Sequence, residues 1–182
     1  MNVIDNTAEF NAGCYSELLL GCGHLRKKRL KQPEQGDEWQ NLVTLDVNPA
    51  CNPDVVHDLN VTPWPFQDEE FDEVHAYEVL EHIGRQGDYK SFFDHFNELY
   101  RILKPGGILY ASTPTWSGMW AWSDPGHTRI ISEGSLIFLN RDNYDETGAT
   151  QMTDYRDIYK GDFELMGAKE EMDSLYFMLK KK

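Results

Sequence analysis

Gly21-Cys22-Gly23 directly follows the apolar run Leu18-Leu19-Leu20. Glycines at the end of a strand let the backbone come close to a nucleotide-like ligand and turn sharply into the next element. A tight turn without a ligand would use the same residues. Arg26 stands where a dinucleotide fingerprint asks for its third glycine, which counts against a nicotinamide cofactor. Asp46, with Val47 beside it, closes a second apolar run, Leu42-Val43-Thr44-Leu45, 25 residues after Gly21. A carboxylate there can accept hydrogen bonds from both hydroxyls of a ribose, or it can cap the turn at Asn48-Pro49. Asp58 follows the short run Val55-Val56; it can meet the exocyclic amine of an adenine or form an Asx turn before Asn60.

Glu78, Glu81 and His82 stand at i, i+3 and i+4, a spacing that suits metal ligands on a helix. No second cluster completes such a site by spacing, so no metal is expected. The three read instead as polar residues at the carboxyl edge of a sheet, where ligands bind in α/β folds. Further along, Trp116, Trp120, Trp122, Asp124, His127 and Arg129 crowd into one loop-like stretch. With the loop Gly84 to Asp88 it should form the pocket for a second substrate. His127 is the candidate general base, its ordinary pKa being about 6.5, although a loop histidine can equally be structural. The tryptophans fit either a platform for a planar or sugar-like molecule or a buried lid.

These residues need a scaffold, and the hydrophobic pattern supplies one. Short β-like runs at Leu18–Leu20, Leu42–Leu45, Val55–Val56, Phe71–Tyr77 and Ile108–Ala111 alternate with helix-like or loop stretches, which predicts an α/β sheet. Phe92, Phe96, Leu99 and Leu103 recur at helical spacing behind Asp88, a natural cap, and Lys104-Pro105-Gly106-Gly107 stops the helix. Residues 132–140 read as a short helix. Phe163–Met166 and Leu175–Leu179 read as a closing pair that contains an antiparallel strand.

The chain has 182 residues and a formal net charge of −14, which suits one domain and argues against coating DNA or an anionic membrane. Five of its 17 basic residues, Arg26, Lys27, Lys28, Arg29 and Lys31, form one local positive patch. The patch is either a solvated helix turn or a means of recruiting an anionic acceptor; nucleic acid is not supported by the net charge. Met1 to Phe10 lacks the features of a signal peptide, and no apolar run approaches the roughly 18 residues of a membrane helix. Cys14, Cys22 and Cys51 are odd in number and lack Cys-x-x-Cys spacing, against a disulfide framework or a zinc knuckle. The expected location is the cytoplasm, with no membrane partner.

Taken in order, Leu18 to Gly23, Thr44 to Pro49, Phe71 to Val74 running into Glu78-Val79-Leu80-Glu81-His82, and Arg101 to Leu109 resemble class I S-adenosylmethionine-dependent methyltransferases. The resemblance covers roughly residues 16–114. It implies a Rossmann-like, seven-stranded, mostly parallel sheet with helices on both faces and an antiparallel last strand, as a single domain over 1–182 with an acceptor-side insertion at about 115–162. It implies S-adenosylmethionine as cofactor, with Gly21, Cys22 and Gly23 along its methionine part and Asp46 and Val47 at the ribose. Asp58 and Leu59 would flank the adenine, and Tyr77 and Glu78 would face the methionine and sulfonium. The methyl acceptor is unidentified. Leu19 and Leu25 depart from the family pattern, which often has an acid and a small residue there. That departure motivates the alternative of a methyltransferase-fold protein that binds or scaffolds without turnover.

Overall fold

The computed structural model describes residues 15–182; Met1 to Phe10 and Cys14 lie outside that range. Seven strands form one sheet: β1 (Glu17–Leu20), β2 (Leu42–Asp46), β3 (Val55–Val56), β4 (Phe71–Tyr77), β5 (Leu103–Pro114), β6 (Phe163–Glu171) and β7 (Ser174–Lys181). Their spatial order is β3-β2-β1-β4-β5-β7-β6. β1 to β5 pair in parallel, and β7 runs antiparallel to both β5 and β6. The mostly parallel sheet and its antiparallel last strand are as expected. The strand order reverses between β1 and β4, the place where open α/β sheets bind ligands.

Alternation along the strands sorts the residues onto two faces. Leu18, Leu20, Val74, Ala76, Leu109 and Ala111 join the larger core. The main helix, α1 (Tyr89–Ile102), packs there through Phe93, Phe96, Leu99 and Ile102. Each such buried side chain contributes roughly 1.5–3 kcal/mol. Asp88 caps α1 by accepting from the Ser91 amide at 3.1 Å, as the sequence predicts. A short helix, α2 (Glu133–Leu136), and the single turn that follows it add Leu136 and Leu139 to the same core. At the outer end of α1, Arg101 donates to the carbonyls of Trp64 and Phe66 and pairs with Asp68 and Glu98. It thereby ties the loop that follows β3 to the helix.

The other face differs from expectation. Among the described residues it is covered by the extended segment 24–40, where a helix layer was anticipated. Leu30 and Trp39 pack on Leu19, Cys22, Tyr77 and Tyr110. Two features exclude a helix there. Pro33 and Gly36 interrupt it, and Lys28 turns inward. Its ammonium is buried between Glu17 and Glu73, hydrogen-bonded to Glu17 and 3.3 Å from Glu73 Oε2. Burial opposes ionisation of Glu73, but hydrogen bonds from His75, Tyr15 and Gln35 prevail and hold its carboxyl far below the usual range. Lys28 therefore belongs to the interior and not to a solvated patch.

Two outcomes follow. Lys28→Ala leaves two carboxylates buried without their cation and should cost roughly 3–5 kcal/mol in urea unfolding. His95, buried on α1, is pushed down to about 4 by burial and by the neighbouring Arg129 guanidinium. The unfolded chain protonates this histidine at about pH 6.5. Its stabilising contribution is therefore full above that pH and is lost as the pH falls through about 4. Acid titration should remove about 3 kcal/mol by this route, and His95→Leu should flatten that part of the curve.

Candidate active site

A cleft of about 290 Å³ opens over the carboxyl ends of β1, β2 and β4. Gly21, Asp46, Val47, Asp58, Leu59 and Glu78, six of the nine residues expected to hold a cofactor, line it together. The backbone turn at Gly21 has φ +57°, and a Cβ there would lie 2.4 Å from Val79 Cγ2. Glycine is thus required both by conformation and by the close approach of β4's end.

Asp46 organises the floor. One carboxylate oxygen accepts from the Gly23 amide at 2.8 Å and the other from the Asn48 amide at 2.8 Å. The Cys22 amide donates to the Leu45 carbonyl and the His57 amide to the Asp46 carbonyl, joining the loops after β1, β2 and β3. Asp58 makes the Asx turn considered above, accepting from both the Asn60 amide and its side chain at 2.9 Å. Those two bonds hold its carboxyl below the usual range, while it still lines the cleft. Leu59 is buried, and its carbonyl accepts from the Trp64 indole at 3.1 Å.

The remaining three residues are placed differently. Gly23 contributes its amide to Asp46. The side chains of Cys22 and Tyr77 belong to the opposite face of the sheet. The Tyr77 hydroxyl accepts from the Arg29 and Leu30 amides at 3.2 and 3.0 Å and sits 2.7 Å from His75 Nδ1. Tyr77 pins the covering segment and does not turn its ring to the cleft. The strand phase carried that signal, because Tyr77 alternates out of step with Val74 and Ala76. Glu78, in step with them, does face the cleft. It adopts φ +57° and is fixed by its amide to the Ser112 carbonyl and by Ser112 Oγ donating to its carboxylate at 2.7 Å. A left-handed glutamate at a strand end is uncommon and is the kind of strain that functional sites retain.

Next to Glu78 the chain brings in the 116–130 segment. The Thr128 and Arg129 amides both donate to the Glu81 carbonyl, at 2.9 and 3.1 Å. His127 is thereby set edge-on to His82, ring centres 4.7 Å apart. Its Nε2 lies 4.0 Å from Glu81 Oε1 and 3.8 Å from Asp124 Oδ2. His127 is largely buried and stands behind His82, which itself reaches the cleft wall. A base acting directly in the cleft is therefore a poorer description of His127 than a partner of Glu81 and His82. Burial, followed by the nearby Glu78 and Asp124 carboxylates, pushes Glu81 up to about 8.

A second cavity of about 320 Å³ is lined by Arg85 to Tyr89 together with Arg129, Phe92 and Tyr155 among others; of the segment expected to wall the acceptor it takes in Arg129 but none of the three tryptophans nor His127. Arg129 is buried and donates to the Arg85 and Asp88 carbonyls, holding the 84–88 loop closed. Trp116, Trp120 and Trp122 are exposed (58%, 57% and 71%), so they form no buried lid.

Residues 18–111, more than half of the chain, match the family described as methyltransferase domain. The chain belongs to that family. A probable S-adenosylmethionine-dependent methyltransferase of Mycolicibacterium smegmatis is 30% identical over 106 residues, 56% of this chain and 37% of that protein. The match thus spans little more than a third of the relative's length. The fold is shared with a SAM-dependent methyltransferase of Archaeoglobus fulgidus (TM-score 0.55, 17% identity, 93% of this chain and 87% of that one). It is also shared with the N-methyltransferase NodS of Bradyrhizobium japonicum, solved with S-adenosyl-L-homocysteine (TM-score 0.55, 15% identity, 92% and 78%).

The two motif glycines should behave unequally. Gly21→Ala meets both left-handed strain and Val79 and should cost roughly 2–4 kcal/mol. Gly23→Ala meets no atom within 4 Å and should cost about 1 kcal/mol, both read by chemical denaturation.

Proposed function

We propose that the chain is a methyltransferase that binds S-adenosylmethionine in the β1/β2/β4 cleft and passes its methyl group to an acceptor beside Glu78 and the 84–88 loop. The observation that carries this reading is Asp46, a buried carboxylate held by the Gly23 and Asn48 amides on the floor of the cleft. Each of its oxygens keeps a lone pair for a ribose hydroxyl. The residues present fit the cofactor in two further respects. Gly21 brings bare backbone to the cleft wall, its Cβ position being taken by Val79, and Glu78 puts negative charge in the cleft without a lysine or arginine paired to it among the described residues. When bound, S-adenosylmethionine supplies an electrophilic methyl group on a sulfonium. The chain's contribution is alignment, which supplies much of the rate in such an in-line displacement.

The acceptor is approached through the exposed tryptophans and the 84–88 loop. Of the basic stretch, Lys28 is buried, Lys31 pairs with Asp37, and Arg26 donates to the Cys51 and Asn52 carbonyls. An anionic acceptor recruited by this stretch would meet Lys27 and Arg29, which are exposed. We place the protein in the cytoplasm because Cys22 and Cys51 are both free thiols. No helix among the described residues is long and apolar enough to cross a membrane.

Isothermal titration with S-adenosylmethionine and S-adenosyl-L-homocysteine tests the assignment. Both should bind, and Asp46→Ala should weaken each by roughly 10–100-fold, the worth of a charged hydrogen-bond acceptor. Unchanged affinity in that variant would remove the ribose role from Asp46.

A further inference from the structure

Two groups of carboxylates and histidines stand at this sheet. The first, Glu17, Glu73 and His75, already contains its counter-cation, the Lys28 ammonium. The second, Glu81, His82 and His127, has the same chemistry and no such partner. Glu81 is 2% exposed, and neither of its carboxylate oxygens has a hydrogen-bond partner. Among the described residues no lysine or arginine pairs with Glu81, with Glu78 beside it, or with Asp124. The nearby Arg129 guanidinium is turned to the Arg85 and Asp88 carbonyls and to Ser91 Oγ. A buried carboxylate without hydrogen bonds or a cation is costly, and in this chain it lies between two imidazoles.

We propose that Glu81, His82 and His127 bind a divalent transition-metal ion at the edge of the cleft. The geometry supports a single ion. His82 Nε2 and His127 Nε2 each lie 4.0 Å from Glu81 Oε1, and two atoms bound to one ion at about 2.1 Å can stand at most about 4.2 Å apart. The three ligand atoms lie within 4.8 Å of one another, so the farthest pair has to draw together before all three reach one ion. His82 is oriented for the task. Its Nδ1 is 3.0 Å from the Gly126 carbonyl, which can only accept, so the proton is on Nδ1 and the Nε2 lone pair is presented. The Asp124 turn, with its carboxylate accepting from the Gly126 amide at 2.7 Å, presents both that carbonyl and His127.

Two imidazoles and one carboxylate suit zinc, manganese or ferrous iron better than magnesium or calcium, which prefer all-oxygen sites. Three protein ligands leave coordination positions open, as in catalytic rather than structural sites. His82 lines the cleft, so those positions are accessible from the side where the acceptor is proposed to lie. The ion site does not depend on the identity of the methyl donor.

The test is calorimetric titration of chelator-treated full chain with Zn²⁺ and, separately, Mn²⁺, in the absence of S-adenosylmethionine. One ion per chain should bind. Glu81→Gln and His82→Ala should each weaken binding by more than the roughly 10–100-fold that an outer-shell partner costs. His82 is partly exposed, so its variant should fold, which circular dichroism checks. Cobalt(II) should give visible absorption bands in the unsubstituted chain and lose them in both variants. Failure to bind either ion, or binding that survives both substitutions, as it would at a site built on His24 near Cys51, would overturn the proposal. Neither result would touch the cofactor assignment, which the separate titration of Asp46→Ala decides.

Discussion

The Lys28 ammonium lies between two carboxylates inside the molecule, and one whole face of the sheet is arranged around it. Glu17 begins β1 and Glu73 sits early in β4, so the ion bridges neighbouring strands. His75, Tyr15 and Gln35 complete the hydrogen bonding of Glu73, and the Glu17 carboxylate also accepts from the Gln40 amide. Such a network is a costly way to fill an interior, because apolar residues of the same volume often do as well or better. What it provides here is a fixed path for segment 24–40, which has no regular hydrogen-bonding pattern of its own. That segment leaves the Gly21-Gly23 turn, so the anchoring of Lys28 also constrains the floor of the cleft.

The cleft follows the same logic of short backbone links between successive strand ends. Asp46, the Leu45 carbonyl and the Asp46 carbonyl connect the three loops after β1, β2 and β3. Positive φ at Gly21, Gly23 and Glu78 lets the chain turn at the carboxyl ends of β1 and β4 without blocking the space above them. The fold alone would not assign chemistry, since one architecture can carry several activities. Family membership places the chain among methyltransferase domains, and Asp46, held by two backbone amides, is the group on which the proposed cofactor site rests.

Much of this was legible in the sequence because it depended on local pattern. The strands β1, β2, β4 and β5, the helix behind Asp88 and the glycine turn all follow from apolar period and punctuation. The basic stretch was not legible, because its central residue is explained by Glu17 and Glu73, which come from two different strands. A run of charges looks solvated until its partners are brought to it. Tyr77 was readable in principle from the phase of β4, yet proximity to Glu78 outweighed that phase. The association of His127 with Glu81 could not be read at all. It arises from two backbone amides donating to one carbonyl, and no spacing or composition encodes that contact.

The placement of β7 has a consequence for how the molecule is made. Among the described residues β6 has β7 as its only partner in the sheet, and β7 alone connects it to β5. β6 precedes β7 in the chain, so during synthesis it must wait, unpaired, for a strand not yet emerged. Its long connection from β5, residues 115–162, must likewise be threaded into place before closure. Pairing across such separations is slow, and an unpaired edge strand is exposed to the wrong neighbours meanwhile. The acidic residues Glu164, Glu170 and Glu171 along β6 place like charges on that waiting edge, so two nascent copies would repel each other before either could join the other's sheet.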